Sequence, residues 1–264
     1  MSAVDEEQAA VVDRMLEWLY TDELRHSRMI WRIEADRRAA DVLPYAGAWF
    51  DPAGAALIDL SGHPRTGSAA RPWLQVAATD ADALELLLGV RAPAACEVLV
   101  DCEYTPAVAA LGSLTSAGEL EVHTCPPGEL GRAALPYDPT RLTLRHRAIV
   151  AEDGWRPEDL AAEQDEDQGG VRWAIIREGH LVARLLLQRI TGNLVEISDV
   201  HTHPDFRRRG YGAALVQSMV RRLHERGLTA SYSVHPSNHA SLALAAAVGF
   251  QYAFRWERVL LYRT

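Results

Sequence analysis

Lysine is absent from this chain of 264 residues, and all 27 basic positions are arginine. A solvated surface tolerates either cation, so the bias reflects composition rather than chemistry. It does exclude a P-loop nucleotidase, whose G-x-x-x-x-G-K-[ST] loop needs a lysine. A basic excess is also missing. The net charge of -9 argues against a general nucleic-acid binder. Arg207-Arg208-Arg209 is the one triple-basic run, and it suits a local anion such as a phosphate. Cysteine is scarce: Cys96, Cys102 and Cys125 are odd in number and lack metal-ligand spacing, so a reduced, disulfide-free intracellular protein is expected. The start, MSAVDEEQAA, is too acidic for a signal peptide, and no apolar run approaches the ~20 residues of a membrane span. The expectation is a cytoplasmic protein with neither membrane nor nucleic acid as partner.

What is present is an ordinary globular composition, 48% apolar and 24% charged, long enough for two domains. From Val4 to about Leu43 the periodicity is helical, with Val11, Met15, Trp18 and Leu19 in an apolar stripe. Short apolar segments begin at Ala55 and Trp73, a helix is expected over Ala81 to Val90, a strand from Cys96, a small helix after Pro106 and a strand from Glu119. Four Pro and two Gly crowd Cys125 to Pro139, which reads as a linker and sets the domains at 1–135 and 136–264. Beyond it the pattern predicts a strand over Arg141 to Val150 and a helix opened by Pro157. A hairpin turning near Glu178-Gly179 follows, then a strand over Leu194 to His203 and a helix from Gly210 to about Arg226. The strand LTASYSV, a helix from about Asn238 to Val248 and a final strand pair complete the chain. The fold class is α/β in both halves, with the N-terminal domain the smaller.

The stretch THPDFRRRGYGAALVQSMVRRL joins a strand end, an arginine-rich turn and a glycine-start helix. Glycines let the backbone approach an anion, and the free N–H groups at a helix start bind phosphate. A lone G-x-G also occurs at plain helix caps. Here it coincides with three arginines and an amphipathic helix. Arg207-x-x-Gly210-x-Gly212 resembles the Q/R-x-x-G-x-G/A signature of the GNAT acetyltransferase superfamily, and Asn238-x-x-Ser241 with Gly249-Phe250 resembles a second signature downstream. The likeness covers about Arg141 to Thr264.

That resemblance implies a mixed, mostly antiparallel sheet flanked by helices, with acetyl-CoA as co-substrate in a wedge between LVEISDVHTH and LTASYSV, and no metal. It implies pantetheine contacts at Val200, His201 and Thr202, a pyrophosphate cradle of Arg208, Arg209, Gly210, Tyr211, Gly212 and Ala213 beside Arg207, and cofactor contacts at Asn238 and Ser241. Attack by an ammonium acceptor needs a base. Glu196, 11 residues before Arg207, is the first candidate, since several family members carry a base at this spacing. A solvated strand-end charge is the alternative. Asp199 and His201 are reserves, and alternation sets them opposite Glu196 unless a bulge intervenes. His201 and His203 have no third ligand at matching spacing, which argues against a metal site.

One position departs from the family pattern. Many members carry Tyr seven residues after the motif Asn as the acid for the leaving thiolate, and here that residue is Ala245. Asn238 to Phe250 is similar instead to the zwittermicin A resistance branch, which, like the glycine N-acyltransferase-like proteins, has a domain ahead of the catalytic one. The strand-helix-strand order from Cys96 to Thr124 repeats that of the C-terminal segment, as either a decayed acetyltransferase-like repeat or a chance match, and no cofactor is expected there. The acidic run Glu163 to Gln168 is either a cation-attracting loop or a solvated one. Trp155, Trp173 and Tyr211 read as packing residues. The functional expectation is an N-acetyltransferase acting on a small-molecule amine; the alternatives are a non-enzymatic acyl-CoA-binding module and a protein N-acetyltransferase.

Overall fold

A computed structural model describes residues 3–39, 45–63, 71–128, 130, 137–152, 160 and 170–264. The opening helical periodicity gives α1 (Ala3–Leu19) and α2 (Ser27–Ala39). Then come β1 (Gly47–Asp51), β2 (Ala55–Asp59), β3 (Trp73–Ala78), α3 (Ala81–Arg91), β4 (Ala95–Asp101), the short α4 (Thr105–Ala109) and the long β5 (Gly112–Cys125). The rest comprises β6 (Thr140–Arg141), α5 (Arg147–Glu152), β7 (Val171–Arg177), β8 (His180–Arg189) and β9 (Leu194–Thr202). α6 (Tyr211–Glu225), β10 (Thr229–Val234), α7 (His239–Val248) and β11 (Gln251–Arg263) end the chain. The class is mixed α/β with mostly antiparallel strands; β3 with β4 and β9 with β10 run parallel.

The chain forms two compact units, Met1–Leu120 with Phe254–Thr264, and Glu121–Ala253. In the first, β2 buries both faces. Ala56 and Ile58 pack under Val12, Met15 and Leu19 of α1 and Met29, Ile30 and Ile33 of α2, while Ala55 and Leu57 pack with Leu84 and Leu88 of α3 and Val108 of α4. Burial on two sides explains why AALID reads as a continuous apolar run rather than an alternating one.

In the second unit, β7 and β8 form the hairpin expected at Glu178-Gly179. Arg177 pairs with His180, and the two turn residues take φ of 53° and 82°, the left-handed pair a two-residue hairpin requires. One face of β8, β9 and β10 carries Leu185, Leu187, Val195, Ile197, Ala230 and Tyr232. It is covered by Leu215, Met219, Val220 and Leu223 of α6 and by Ala245 and Val248 of α7. The opposite face is partly covered by Val150 of α5, which packs with Leu142, Ala174 and Leu181.

Several elements differ from expectation. Arg141 to Val150 is not a strand beyond Arg141, because Thr143 caps a helical turn: its N–H donates to His146 Nδ1 at 3.0 Å. The C-terminal strand pair is one strand, β11. The helix expected after Pro157, the acidic run Glu163 to Gln168 and Trp155 lie outside the described residues, as do residues 129 and 131–136 of the linker. The two units are of nearly equal length, and their division falls within β5 rather than at residue 135.

The order β1-β2-β3-α3-β4-α4-β5 recurs as β7-β8-β9-α6-β10-α7-β11. Each unit is completed by the strand that follows the other's short helix. β11 pairs with β4 from Trp256↔Asp101 to Tyr262↔Ala95 in the first, and Glu121–Cys125 of β5 pairs with β10 in the second. A chain cut at residue 135 would separate both strands from their partners and leave the β10 edge unpaired. Fragment 136–264 is therefore expected to aggregate or to lack a cooperative thermal transition by circular dichroism. A monomeric, cooperatively melting fragment would contradict the exchange.

Candidate functional site

Strands β9 and β10 begin as partners and then separate. Their parallel register runs Thr229↔Leu194, Ala230↔Val195 and Ser231↔Glu196 and stops, although β9 continues to Thr202 and β10 to Val234. Past Glu196 the facing edges of the two strands carry backbone N–H and C=O groups with no ladder between them.

β9 also carries a bulge. It pairs with β8 as Leu186↔Ser198 and then Arg184↔His201, so two residues, Asp199 and Val200, stand opposite Leu185 alone. Asp199 takes φ of 50°, and Arg184 Nη1 donates to its Oδ2 at 2.8 Å. The extra residue shifts the alternation, as a bulge does. Glu196, Ser198 and His201, paired with Gln188, Leu186 and Arg184, consequently share the face away from α6. His201 therefore joins Glu196 rather than opposing it. Val200 packs instead against the core beneath α6.

The turn after β9 is held by its own side chains. His203 Nδ1 accepts from Asp205 N at 3.3 Å, and Arg207 Nε donates to Thr202 O at 3.1 Å. Arg208 and Gly210 take left-handed φ of 61° and 82°. Gly210 is the N-cap of α6, and among the described residues no side chain caps that end. The amides of Tyr211, Gly212 and Ala213 thus form a positive helix terminus, with Arg208 and Arg209 exposed beside it. Space around Gly210 is open, so its glycine answers to conformation. Gly212 answers to packing: a Cβ there would lie 2.8 Å from Thr202 Oγ1 and 3.3 Å from Leu244 Cδ1.

Aromatic rings gather at the same helix start. Tyr137 lies 4.8 Å from Tyr211, and Phe206 6.1 Å from Tyr211, centroid to centroid. Arg177 lies over Tyr137 and Arg209 over Phe206, at 5.6 and 5.5 Å. Tyr137 and Arg177 escaped the sequence reading, since one sits in the linker and the other ends a strand with no motif around it.

On α7, Asn238 Oδ1 accepts from Ser241 N at 3.2 Å as the helix cap. Ser241 Oγ lies 2.6 Å from the Tyr232 hydroxyl. Ala245 is buried in the core, one turn beyond Ser241. The structure thus gathers Glu196, Val200, His201, Thr202, the turn from Arg207 to Ala213, Asn238 and Ser241 into one unit, around the split between β9 and β10. In the first unit the matching helix start is already occupied, because Asp80 Oδ1 accepts from Ala83 N at 2.8 Å and caps α3 with a carboxylate. Among the described residues, no helix is long and apolar enough to cross a membrane, and no group of three or more metal-ligating side chains assembles.

Residues 141–250 match the model of the acetyltransferase (GNAT) family. Solved structures share the fold across both units. A GCN5-related N-acetyltransferase from Kribbella flavida aligns over 88% of this chain and 95% of its own, at 14% identity and a TM-score of 0.54. A Drosophila protein aligns over 99% and 97%, at 17% identity and a TM-score of 0.57. A GCN5-related N-acetyltransferase-like protein from Streptococcus suis aligns over 97% and 98%, at 16% identity and a TM-score of 0.50. None of the curated proteins matches the chain. The fold is that of the GNAT enzymes, and the family match supports an acetyltransferase.

Proposed function

We propose that the protein is an N-acetyltransferase that moves an acetyl group from acetyl-CoA to a primary amine of a small molecule by direct attack. The observation that carries this reading is the split between β9 and β10 opening beside the uncapped, glycine-started helix α6. An amide-rich pantetheine arm suits the stretch of β9 at Val200, His201 and Thr202, which has left the β10 ladder, as a peptide suits a sheet edge. A pyrophosphate suits the amides of Tyr211, Gly212 and Ala213 with Arg208 and Arg209 nearby. The rings of Tyr137, Tyr211 and Phe206, flanked by Arg177 and Arg209, suit the adenosine and its phosphate. Acetyl-CoA supplies the activated thioester.

Arg207 serves the site indirectly, tying the turn to the end of β9 through Thr202 O. Asn238 serves it by starting α7 where Ser241 faces Tyr232. Glu196, at the last paired position of the split and on the face away from α6, is the base that takes a proton from the incoming ammonium. The two-unit organisation supports kinship with the zwittermicin A resistance and glycine N-acyltransferase-like branch. The net charge of -9 favours a small cationic acceptor over nucleic acid, and the unbridged cysteines suit the reducing cytoplasm.

A screen of amines with acetyl-CoA, detecting released thiol, tests the reading. Amine-dependent thiol release supports it. Tight acetyl-CoA binding without turnover on any amine, peptide N-termini included, would favour instead a non-enzymatic acyl-CoA-binding module, the reading that the buried Ala245 motivates.

A further inference from the structure

The leaving group in such a transfer needs a partner. As the amine nitrogen bonds to the acetyl carbon, the C–S bond breaks and its electron pair stays on sulfur, forming a thiolate. The base takes the proton that the nitrogen gives up. A hydrogen-bond donor aimed at the sulfur lowers the barrier by meeting charge where it develops. Ala245 offers none.

The registers fix where a donor must stand. Glu196 lies on the sheet face away from α6, so the acceptor approaches from that face. The phosphate cradle stands at the start of α6, so the CoA portion approaches from the other. Tyr232 is the first residue of β10 beyond the last β9 pair, and its ring lies in the core beneath α6 and α7, on the face opposite Glu196. Its hydroxyl meets Ser241 Oγ at 2.6 Å, at the first turn of α7. Ser241 is half-buried, whereas Tyr232 is buried. The outer hydroxyl of this pair is therefore the one a ligand in the split can touch.

We propose that the Ser241 hydroxyl, oriented by Tyr232, donates the hydrogen bond that stabilises the thiolate leaving from acetyl-CoA. The inference rests on the acetyl-CoA reading above. Ser241 is then a catalytic residue and Tyr232 a positioning residue. Burial raises the Tyr232 pKa above its ordinary 10.0, against the lowering effect of Ser241, so the phenol keeps its proton. Either hydroxyl can donate in this contact, and in the proposed arrangement the Tyr232 proton is directed at Ser241 Oγ, which leaves the serine proton for the sulfur. The thiolate takes its own proton from solvent afterwards, and both hydroxyls end as they began.

Paired binding measurements on the full chain test this without any acceptor. At pH 9, approaching the range in which an alkyl thiol ionises, wild-type protein is expected to bind CoA about 10-fold more tightly than desulfo-CoA, as a hydrogen bond to a charged group implies. Ser241→Ala should bring the two affinities within about 2-fold, with desulfo-CoA binding unchanged, and Tyr232→Phe should reduce the ratio in the same direction. Ser241→Thr, which keeps the hydroxyl, should restore it. An unchanged ratio in Ser241→Ala, or equal affinities in the wild type, would overturn the inference and leave the acetyl-CoA reading standing. Binding of neither compound to the wild type would overturn both.

Discussion

Replacing Glu196 with Gln is expected to lower turnover by about 100- to 10,000-fold, the usual contribution of a positioned base, while acetyl-CoA affinity changes less than about 2-fold. The two effects separate because Glu196 and the cradle belong to opposite sides of the split. Glu196 pairs across to Gln188 and Ser231 at the closed end, and its face is the one away from α6. The amides that suit the pyrophosphate follow the bulge and the turn, at the open end. Gln has nearly the same volume and cannot take the proton, so packing is preserved while the chemistry is removed. Steady-state kinetics over a range of pH, with calorimetry for the cofactor, provide the check. A rate and pH profile equal to wild type would assign the proton transfer elsewhere, with His201 on the same face as the next candidate.

Gly212→Val is the second large effect. Its Cβ would meet Thr202 Oγ1 at 2.8 Å and Leu244 Cδ1 at 3.3 Å, so the start of α6 must retreat from β9. Overpacking of this kind costs about 1–3 kcal/mol of stability. The retreat also draws the cradle amides away from the phosphates. Losing one charge-assisted hydrogen bond, about 1.5–3 kcal/mol, weakens acetyl-CoA binding by about 10- to 100-fold. Gly210→Ala should be milder. Open space surrounds that position, and the penalty is only the left-handed φ of 82°, about 1–2 kcal/mol. Thermal melts and calorimetry on both variants test the ranking, and a larger loss of binding in Gly210→Ala would contradict the packing role of Gly212.

Much of the second unit was legible in the sequence because its signals are local. The hairpin at Glu178-Gly179, β9, α6, β10 and α7 follow from alternation, turn residues and helical periodicity, and the glycine turn lies where its motif put it. The bulge at Asp199 was not legible, since an extra residue in one strand is defined only against the register of the other. That single residue turns His201 to the face of Glu196. The strand expected over Arg141 to Val150 failed because Leu144 is exposed and Thr143 offers a local cap that competes with the ladder. β1 was missed: GAWFD is short and has Trp49 and Phe50 only half-buried. The exchange of β5 and β11 between units could not be read at all, because pairing partners that far apart leave no periodic trace. The repeated strand-helix-strand order did register, and the structure extends it to seven elements in each half of the chain.

In the site, residue types were more legible than roles. Asn238 and Ser241 stood out by their spacing, yet their side chains face Ser241 N and the Tyr232 hydroxyl. Arg207 stood out as a phosphate ligand, yet its Nε is bonded to Thr202 O. Arg207 thus braces the turn whose backbone amides form the cradle, and Asn238 sets the start of α7.

The most direct test is titration of the full chain with acetyl-CoA by calorimetry. Saturable binding of one acetyl-CoA per chain is expected, since α6 has an uncapped start while the matching α3 is closed by Asp80, with affinity lost in Gly212→Val. No heat of binding at millimolar acetyl-CoA, or two equivalent sites per chain, would contradict it.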